Sequence, residues 1–187
     1  MAAWCLGQRG VPVVIGPTYS GAGLGAATIA STLDLPLVGP STTSPQLNER
    51  DPINGYPTFS RIITSDEFQG AALVDLAVEF GWRKVATLSV SQDTYTTDLA
   101  KAFAKTAAVK EVDIALSQSI GENHVGEDVK LVLNAIKNSG SRIIYAFLYQ
   151  TQVEVVMPIA KELGMIGAEW VWIGCDAWFD SAVAIGK

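Results

Sequence analysis

The 187-residue sequence has little of what metal centres and catalytic triads need, with one histidine and two cysteines. His124 stands in a polar segment without partners for a metal site or a triad, and we expect it in an exposed loop. Cys5 and Cys175 lie far apart in sequence, have no metal-ligand spacing and are too few to define a disulfide framework. The sequence therefore predicts no metal centre and no bound cofactor.

Long apolar runs and clusters of positive charge are missing as well. The formal net charge is −6, and no run of lysine or arginine suggests a nucleic-acid partner. No segment approaches the roughly 20 apolar residues that cross a bilayer, and residues 1–6 lack the basic start of a signal peptide. Because 49% of the residues are hydrophobic, the chain can bury a core. We expect a soluble chain that is part of something longer.

The segment 13–23 is the most informative stretch that is present. Apolar residues 13–15 run into a Gly-Pro turn, the hydroxyls of Thr18, Tyr19 and Ser20 follow, and an alanine-rich segment comes next. This order indicates a strand, a loop and a helix N-terminus, whose free N–H groups and positive dipole end suit an anion. No lysine stands beside the glycines, so the loop is not a Walker-type phosphate loop. We expect it to receive the carboxylate of a small ligand.

Strand and helix patterns alternate along the whole chain. The sequence predicts strands over 13–15, 37–39, 59–63, 84–90, 112–116, 142–148 and 170–174. It predicts helices over 26–33, from 64 up to Gly81, and over 97–108, 125–138 and 153–163. Such alternation gives right-handed βαβ units and doubly wound parallel sheets, an α/β fold. Ligands of these sheets lie beyond the carboxyl ends of the strands.

The predicted strand ends are rich in hydroxyls and aromatic rings and hold few charges. They comprise residues 18–20, 41–44, 91–95, 149–151 and 175–178. This composition suits a small polar ligand and offers no pair of nucleophile and base, so we expect a binding protein and not an enzyme.

A dinucleotide-dependent oxidoreductase is an alternative, because residues 21–26 read GAGLGA and match the pattern G-x-G-x-x-A. The next predicted strand, 37–39, ends in Pro40 and Ser41, with no acidic residue for a ribose. The glycines also lie several residues beyond the first strand. The match to an NAD-binding fingerprint is therefore weak.

Four motifs together carry a resemblance to a known family. They are YPTFSR at 56–61, GWRKVAT at 81–87, SRII with FLY at 141–149, and WVWIG at 170–174 followed by Trp178 and Phe179. From about Val13 to Trp178 the chain resembles the extracellular ligand-binding region of class C G-protein-coupled receptors. More widely, it resembles the type I periplasmic-binding-protein fold of natriuretic-peptide-type receptors and bacterial amino-acid binders. The metabotropic GABA (type B) receptors look closest, followed by the metabotropic glutamate receptors.

The resemblance implies two doubly wound parallel-sheet lobes that close on a ligand. Residues 1–63 would be part of the first lobe, which is incomplete, 64–178 the second lobe, and 179–187 the start of a return segment. The implied function is the extracellular ligand-binding domain of a plasma-membrane receptor that recognises an amino-acid-like ligand and signals by lobe closure. Membrane contact would occur only through segments absent from this chain, and a receptor dimer is a possible assembly. A periplasmic or secreted amino-acid-binding protein of an ABC transporter, or a lobe that only dimerises, remains an alternative.

The resemblance also assigns ligand-binding residues in the first lobe. Ser20 falls where the family has a serine that holds the ligand's α-carboxylate, with the Gly21 amide beside it; a helix cap is the other interpretation. Thr43, with Thr42 next to it, falls where the family uses serine or threonine on the same carboxylate; a solvated turn is the alternative. Tyr19 departs from the glutamate receptors, which have a small residue there, and a tyrosine could narrow the pocket.

In the second lobe the resemblance assigns residues for the ligand's ammonium group. Asp66 matches a glutamate-receptor aspartate that meets the ammonium, although aspartate is also favoured at any helix start. It favours an α-amino acid over GABA. Tyr95 matches a glutamate-receptor tyrosine and Tyr149 a GABA-receptor tyrosine, and either ring could receive a cation or simply pack.

Two further observations concern the same strand ends. Gln150 and Gln152 stand where family members often have acids, which leaves the particular ligand open. Asp176 and Trp178 follow the last predicted strand, and we interpret them as cleft rim or hinge support.

Overall fold

A computed structural model of the chain describes residues 2–122 and 126–178. The chain divides into two compact units, Met1–Gln69 and Gly70–Lys187. Each unit contains a wholly parallel sheet flanked by helices, which confirms the predicted α/β class. The predictions for His124, Phe179 and the return segment 179–187 lie outside the described residues. No helix within the described ranges is long and apolar enough to cross a membrane.

The first unit is a three-stranded sheet with order β1-β2-β3. Its elements are α1 (Ala2–Gln8), β1 (Val14–Ile15), α2 (Ser20–Thr32), β2 (Leu37–Gly39), a 3₁₀ turn (Pro45–Asn48), β3 (Phe59–Arg61) and the start of α3 (Asp66–Glu79). Leu37 pairs with Val14 on one side and with Phe59 on the other, so β2 is the central strand. Its core consists of Ala27, Ala30, Leu35, Leu37, Leu47 and Phe59.

Two helices of this unit differ from the sequence prediction. The prediction has no counterpart of α1, and α2 begins at Ser20 instead of Ala26. Glycine disfavours helix interiors, so the glycine-rich segment 21–25 indicated a loop. The structure supplies the compensating contact: a Cβ on Gly23 would lie 2.6 Å from Thr42 Cγ2, so only glycine lets α2 approach that loop.

The second unit is a four-stranded sheet with order β5-β4-β6-β7. After the rest of α3 come β4 (Lys84–Val90), α4 (Thr94–Val109), β5 (Asp113–Ile120), α5 (Gly126–Asn138), β6 (Ile143–Ala146), α6 (Gln150–Glu162), β7 (Val171–Gly174) and a 3₁₀ turn (Asp176–Trp178). The predicted β4 agrees with the structure, and β6 lies between β4 and β7, as its nearly continuous apolar sequence suggests. The prediction ended β5 four residues early, at 116 instead of Ile120.

Helices cover both faces of this second sheet. Val129 and Leu133 of α5 pack with residues of α6 on one face, whereas Leu99 and Phe103 of α4 pack with Val74 of α3 on the other. Apolar residues of alternate strand positions fill each face, because successive side chains of a strand point to opposite sides. The unit is therefore doubly wound, and its strand ends form one edge that carries the loops of interest.

Candidate functional site

In the first unit, the loops that follow β1 and β2 are tied to each other. The two strands are parallel neighbours, so their carboxyl ends meet at one sheet edge. Ser20 Oγ accepts hydrogen bonds from the backbone N–H groups of Thr43 and Ser44, each at 3.2 Å. Ser41 Oγ donates to the Thr18 carbonyl at 3.0 Å. The structure thus brings together Ser20 and Thr43, two of the residues assigned by resemblance.

The hydroxyl of Ser20 serves the neighbouring loop and not its own helix. Ser20 is the first residue of α2 and is 3% exposed, while Tyr19 occupies the N-cap position and makes no side-chain cap bond. Two N–H donors point at the Ser20 oxygen, so its own proton remains available for an acceptor. Donation to a hydroxyl oxygen also polarises the O–H group. Gly21, in the same first turn, is exposed, and its N–H is among those that a helix leaves without an intrahelical acceptor.

Thr42 and Thr43 have different environments. Thr43 is 7% exposed, and within the described part of the chain its Oγ1 has no hydrogen-bond partner. Thr42 is fully buried between two glycines: a Cβ on Gly39 would lie 1.8 Å from its Oγ1, and one on Gly23 would lie 2.6 Å from its Cγ2. Thr42 Oγ1 likewise has no hydrogen-bond partner among the described residues, so both threonines keep a buried hydroxyl that a ligand could satisfy, and Thr43 is the slightly more exposed of the two.

Asp66 lies beside the same loop. It is the first residue of α3, is 1% exposed, and its N–H donates to the Thr43 carbonyl at 3.0 Å. A carboxylate at a helix N-terminus interacts favourably with the helix dipole, as the alternative interpretation held. Its position next to Thr43 also places a negative charge next to the residues expected to hold a carboxylate, as a zwitterionic ligand would require.

Arg61 is a structural member of this site that sequence reasoning did not single out. Its guanidinium donates to the carbonyls of Thr42 at 3.1 Å and Ser44 at 2.9 Å, on either side of Thr43, and also to Asn48 Oδ1. Burial lowers the pKa of Arg61 from its ordinary value, and the opposite charge of Asp66 counteracts that shift. The signal available in the sequence was an arginine at the end of β3, because the neighbouring strand β2 leads into the hydroxyl-rich loop 41–44.

In the second unit, the structure brings together the two assigned tyrosines. Tyr95 lies in the first turn of α4 and Tyr149 immediately precedes α6, and these helices follow the adjacent strands β4 and β6. The ring centroids are 5.7 Å apart, with the planes tilted by 46°. Tyr95 is 8% exposed, whereas Tyr149 is half-buried. Tyr149 therefore presents the more accessible ring of the pair.

Each of these tyrosine hydroxyls is bonded to a carboxylate. Tyr149 Oη donates to Asp93, with oxygen–oxygen distances of 3.2 and 3.4 Å, and Tyr95 Oη donates to Asp176 Oδ1. Burial raises the pKa of Tyr95 above its ordinary value, and the neighbouring Cys175 and Asp176 raise it further. Tyr95 thus stays a protonated donor. Burial likewise raises the pKa of Cys175, which keeps its thiol neutral.

Asp93 and the role of Asp176 were not predicted. Asp176, expected as rim or hinge support, is exposed and accepts the Tyr95 hydroxyl, while Trp178 packs against Gly174, where a Cβ would lie 2.4 Å from the indole. Asp93 follows β4, as Tyr95 does. Asp176 follows β7, which pairs with β6, the strand before Tyr149. That pattern of acids and tyrosines was the only signal in the sequence, and which acid pairs with which ring depends on the order of the strands.

The glycine pattern at residues 21–26 does not form a phosphate-binding loop. These residues lie inside the first turns of α2, and Gly23 faces Thr42. A dinucleotide fingerprint places its glycines in the turn between strand and helix, so that the backbone can approach the pyrophosphate. The geometry of this segment therefore differs from that of an NAD-binding loop.

An α/β protein with parallel sheets and polar strand-end loops is the architecture of type I binding proteins. The chain matches the model of the receptor family ligand binding region over residues 5–185, and it belongs to that family. This confirms both the resemblance and the expected fold. It also confirms the prediction of a ligand-binding protein over an enzyme, and the oxidoreductase alternative is set aside.

Individual relatives are metabotropic glutamate receptors. The chain is 29% identical over 167 residues to human metabotropic glutamate receptor 8, covering 88% of this chain and 18% of that protein. It is 27% identical over 168 residues to mouse metabotropic glutamate receptor 4, with the same coverage of 88% and 18%. It is 25% identical over 171 residues to rabbit metabotropic glutamate receptor 6, covering 90% and 19%. The chain thus spans less than a fifth of the length of these curated relatives. A greater similarity to the GABA type B receptors stays a prediction.

Proposed function

We propose that the chain is part of the extracellular ligand-binding region of a class C G-protein-coupled receptor and recognises a small α-amino acid. The observation that carries this proposal is the hydroxyl of Ser20, which accepts two backbone N–H groups and so has its own proton to donate. Membership of the receptor ligand-binding family and the similarity to glutamate receptors support the same function.

The ligand's α-carboxylate docks on the first unit. Ser20 donates from its hydroxyl, Thr43 offers a buried hydroxyl without a partner among the described residues, and the Gly21 amide adds the positive end of α2. Hydrogen bonds to a charged group contribute roughly 1.5–3 kcal/mol each, so two hydroxyl donors suffice for a specific carboxylate site.

In the first unit, Asp66 receives the ammonium group; in the second unit, the ring face of Tyr149, which Tyr95 supports, offers a place for a cationic group. An α-amino acid carries both charges on one carbon, so its ammonium binder must stand beside its carboxylate binders. Asp66 meets this condition because its N–H bonds the Thr43 carbonyl. In GABA the two charges are separated by three carbon atoms, so this arrangement favours an α-amino acid. Attraction of an ammonium to an aromatic face adds roughly 0.5–2 kcal/mol.

Signalling is the outer part of the proposal and rests on the family. Two lobes, residues 1–63 and 64–178, close on the ligand, and ligand binding shifts the equilibrium between open and closed forms. The receptor stands in the plasma membrane through segments outside this chain, faces the extracellular side, activates a G protein and works as a dimer.

Calorimetric titration of the 187-residue chain with L-glutamate tests the binding proposal. Ser20→Ala and Thr43→Val should each weaken binding by roughly tenfold or more, because each removes a donor to the carboxylate. Ser31→Ala is the matched control, since this serine of α2 bonds Thr58 Oγ1 at 3.3 Å, away from the two loops. A wild-type chain that binds no amino acid, or variants that bind like the wild type, would refute the proposed site.

A further inference from the structure

Asp93 connects two elements of the second unit through a single carboxylate. It is the N-cap of α4, where its Oδ1 accepts the Thr96 N–H at 2.8 Å. The same carboxylate accepts the Tyr149 hydroxyl at 3.2 Å through Oδ2. Tyr149 in turn precedes α6, so the carboxylate links the segments that follow the neighbouring strands β4 and β6.

The turn that presents Asp93 has an unusual backbone. Gln92, directly before it, has φ +64°, in the left-handed region that residues other than glycine seldom adopt. Such conformations persist where the surrounding contacts hold them, and they are concentrated at binding sites. Here the contacts include the two hydrogen bonds of the Asp93 carboxylate and the bond from the Ser91 N–H to the Ile120 carbonyl at 2.8 Å. The left-handed turn therefore aims the carboxylate at Tyr149 while it still caps α4.

The bond to Asp93 controls the orientation of an accessible aromatic ring. A tyrosine side chain has two torsions, so a hydrogen bond at the hydroxyl, together with one packed face, leaves the ring little freedom. One side of Tyr149 packs on Tyr95, which is nearly buried and has its own hydroxyl bonded to Asp176. Asp93 holds the other end of the ring. Without it, the half-buried ring of Tyr149 would lose the hydrogen bond that fixes its hydroxyl end.

We infer that Asp93 is a positioning residue of the ligand site, which fixes the ring of Tyr149 where it receives the ligand's cationic group. This inference rests on the proposed function and names a residue that acts through another. If Asp93 only caps α4, its replacement lowers stability and leaves ligand affinity unchanged. If Asp93 positions Tyr149, its replacement lowers ligand affinity, but only while Tyr149 keeps its hydroxyl.

A double-mutant cycle with L-glutamate as the probe separates these roles. Asp93→Ala and Tyr149→Phe should each weaken binding roughly two- to tenfold, the range of one hydrogen bond. The double variant should bind no more weakly than the weaker of the two, because each single change already breaks the same bond. Asp93→Asn should retain most of the affinity, since its amide oxygen can cap α4 and its NH2 group can donate to the Tyr149 hydroxyl oxygen in place of the lost acceptor.

Tyr145→Phe is the matched control for the loss of a tyrosine hydroxyl. Tyr145 lies in β6, four positions before Tyr149, and its hydroxyl donates to the Leu73 carbonyl at 3.0 Å. This variant should unfold at lower denaturant concentration and bind L-glutamate like the wild type.

The outcomes distinguish this inference from the proposed function. If the wild type binds L-glutamate and the effects of Asp93→Ala and Tyr149→Phe simply add, the role of Asp93 is overturned while the proposed function stands. The same conclusion follows if Asp93→Ala binds L-glutamate as tightly as the wild type. A wild-type chain that binds no amino acid overturns the proposed function and this role with it. Non-additive losses of affinity with an unaffected Tyr145→Phe establish the inference.

Discussion

The two units carry opposite chemistry at their strand ends. The first unit offers hydroxyls and backbone N–H groups. Ser20 and Arg61 hold the loop after β2, Ser20 by accepting two of its N–H groups and Arg61 by donating to two of its carbonyls. The second unit offers two aromatic rings, each bonded to an aspartate. Donors at a helix N-terminus suit an anion, whereas rings and carboxylates suit a cation. The loops of the two parallel sheets therefore differ in chemistry, although the first unit also holds one carboxylate, Asp66, beside its donors.

The helix N-termini show the same contrast. The N-cap of α4 is Asp93, whose side chain accepts a helix N–H, so that terminus is satisfied internally. The N-cap of α2 is Tyr19, which makes no such bond and is 67% exposed. An uncapped terminus leaves N–H groups for an outside acceptor. The absence of a side-chain cap on α2 is therefore consistent with a ligand taking that position.

Gly39→Ala should break the first unit most severely. The added Cβ would lie 1.8 Å from Thr42 Oγ1 and 2.9 Å from the Phe59 ring, inside the core beside the loop that follows β2. Overpacking of this kind costs about 1–3 kcal/mol and occasionally more, so we expect the free energy of unfolding in urea to fall by about 3 kcal/mol, with loss of L-glutamate binding.

Gly25→Ala provides the matched glycine substitution. Gly25 is exposed in α2, and its added Cβ meets nothing within 4 Å. Alanine should stabilise the helix there by up to about 1 kcal/mol. Equal effects of the two substitutions would contradict the packing that the structure gives to Thr42.

Ser20→Ala should also reduce stability, in addition to its effect on binding. It leaves the N–H groups of Thr43 and Ser44 without their acceptor, and an unsatisfied buried donor costs about 1–3 kcal/mol. We expect the free energy of unfolding, measured with urea, to fall within that range. Unchanged stability would mean that the hydrogen bonds between the two loops do not form in solution.

Alkaline pH should weaken the second unit through its buried tyrosines. Burial raises the pKa of Tyr145 to about 12, and the pKa of Tyr95 is raised as well. The unfolded chain loses these protons near pH ~10, so the folded state binds more protons above that value. Stability is therefore intact below about pH 10, and from there to about pH 12 each of the two tyrosines lowers it by roughly 1.4 kcal/mol per pH unit.

Unfolding with urea at several alkaline pH values measures this dependence. The variant with both Tyr95→Phe and Tyr145→Phe should show a distinctly shallower decrease, since it lacks the two raised groups. A decrease of the same slope in that variant would assign the pH dependence to other residues.

Tyr19→Ser should have the smallest effect and the most specific one. Serine at the N-cap can accept a helix N–H, which stabilises α2 by about 0.5–1 kcal/mol. The new side chain competes with the ligand for the same N–H groups, so affinity for L-glutamate should decrease slightly while the unfolding midpoint rises. A simultaneous gain in both quantities would contradict the idea that α2 is left uncapped for a ligand.

Much of the fold was readable from the sequence because its strands are short, apolar and β-branched. The range of β4 and the central place of β6 follow from these runs. The start of α2 was not readable, because glycines at 21, 23 and 25 disfavour a helix locally and the contact between Gly23 and Thr42 is a tertiary one. Helix α1 offered no periodic pattern in its seven residues.

The site was predictable to the extent that it depends on strand ends. Ser20 and Thr43 follow neighbouring parallel strands, so their proximity follows from topology. The pairing of Tyr149 with Asp93, and of Tyr95 with Asp176, joins residues 56 and 81 positions apart. Those pairs depend on the order β5-β4-β6-β7, which sequence periodicity does not reveal.

The most direct test of the central claim compares L-glutamate with its α-amide, isoglutamine, in calorimetric titrations of the wild type and of Ser20→Ala. The two ligands differ only in the group that Ser20 is proposed to bind. We predict that the wild type binds L-glutamate at least roughly tenfold more tightly and that Ser20→Ala loses most of this preference. A wild type that binds both ligands equally, or a variant that keeps the full preference, would contradict the account.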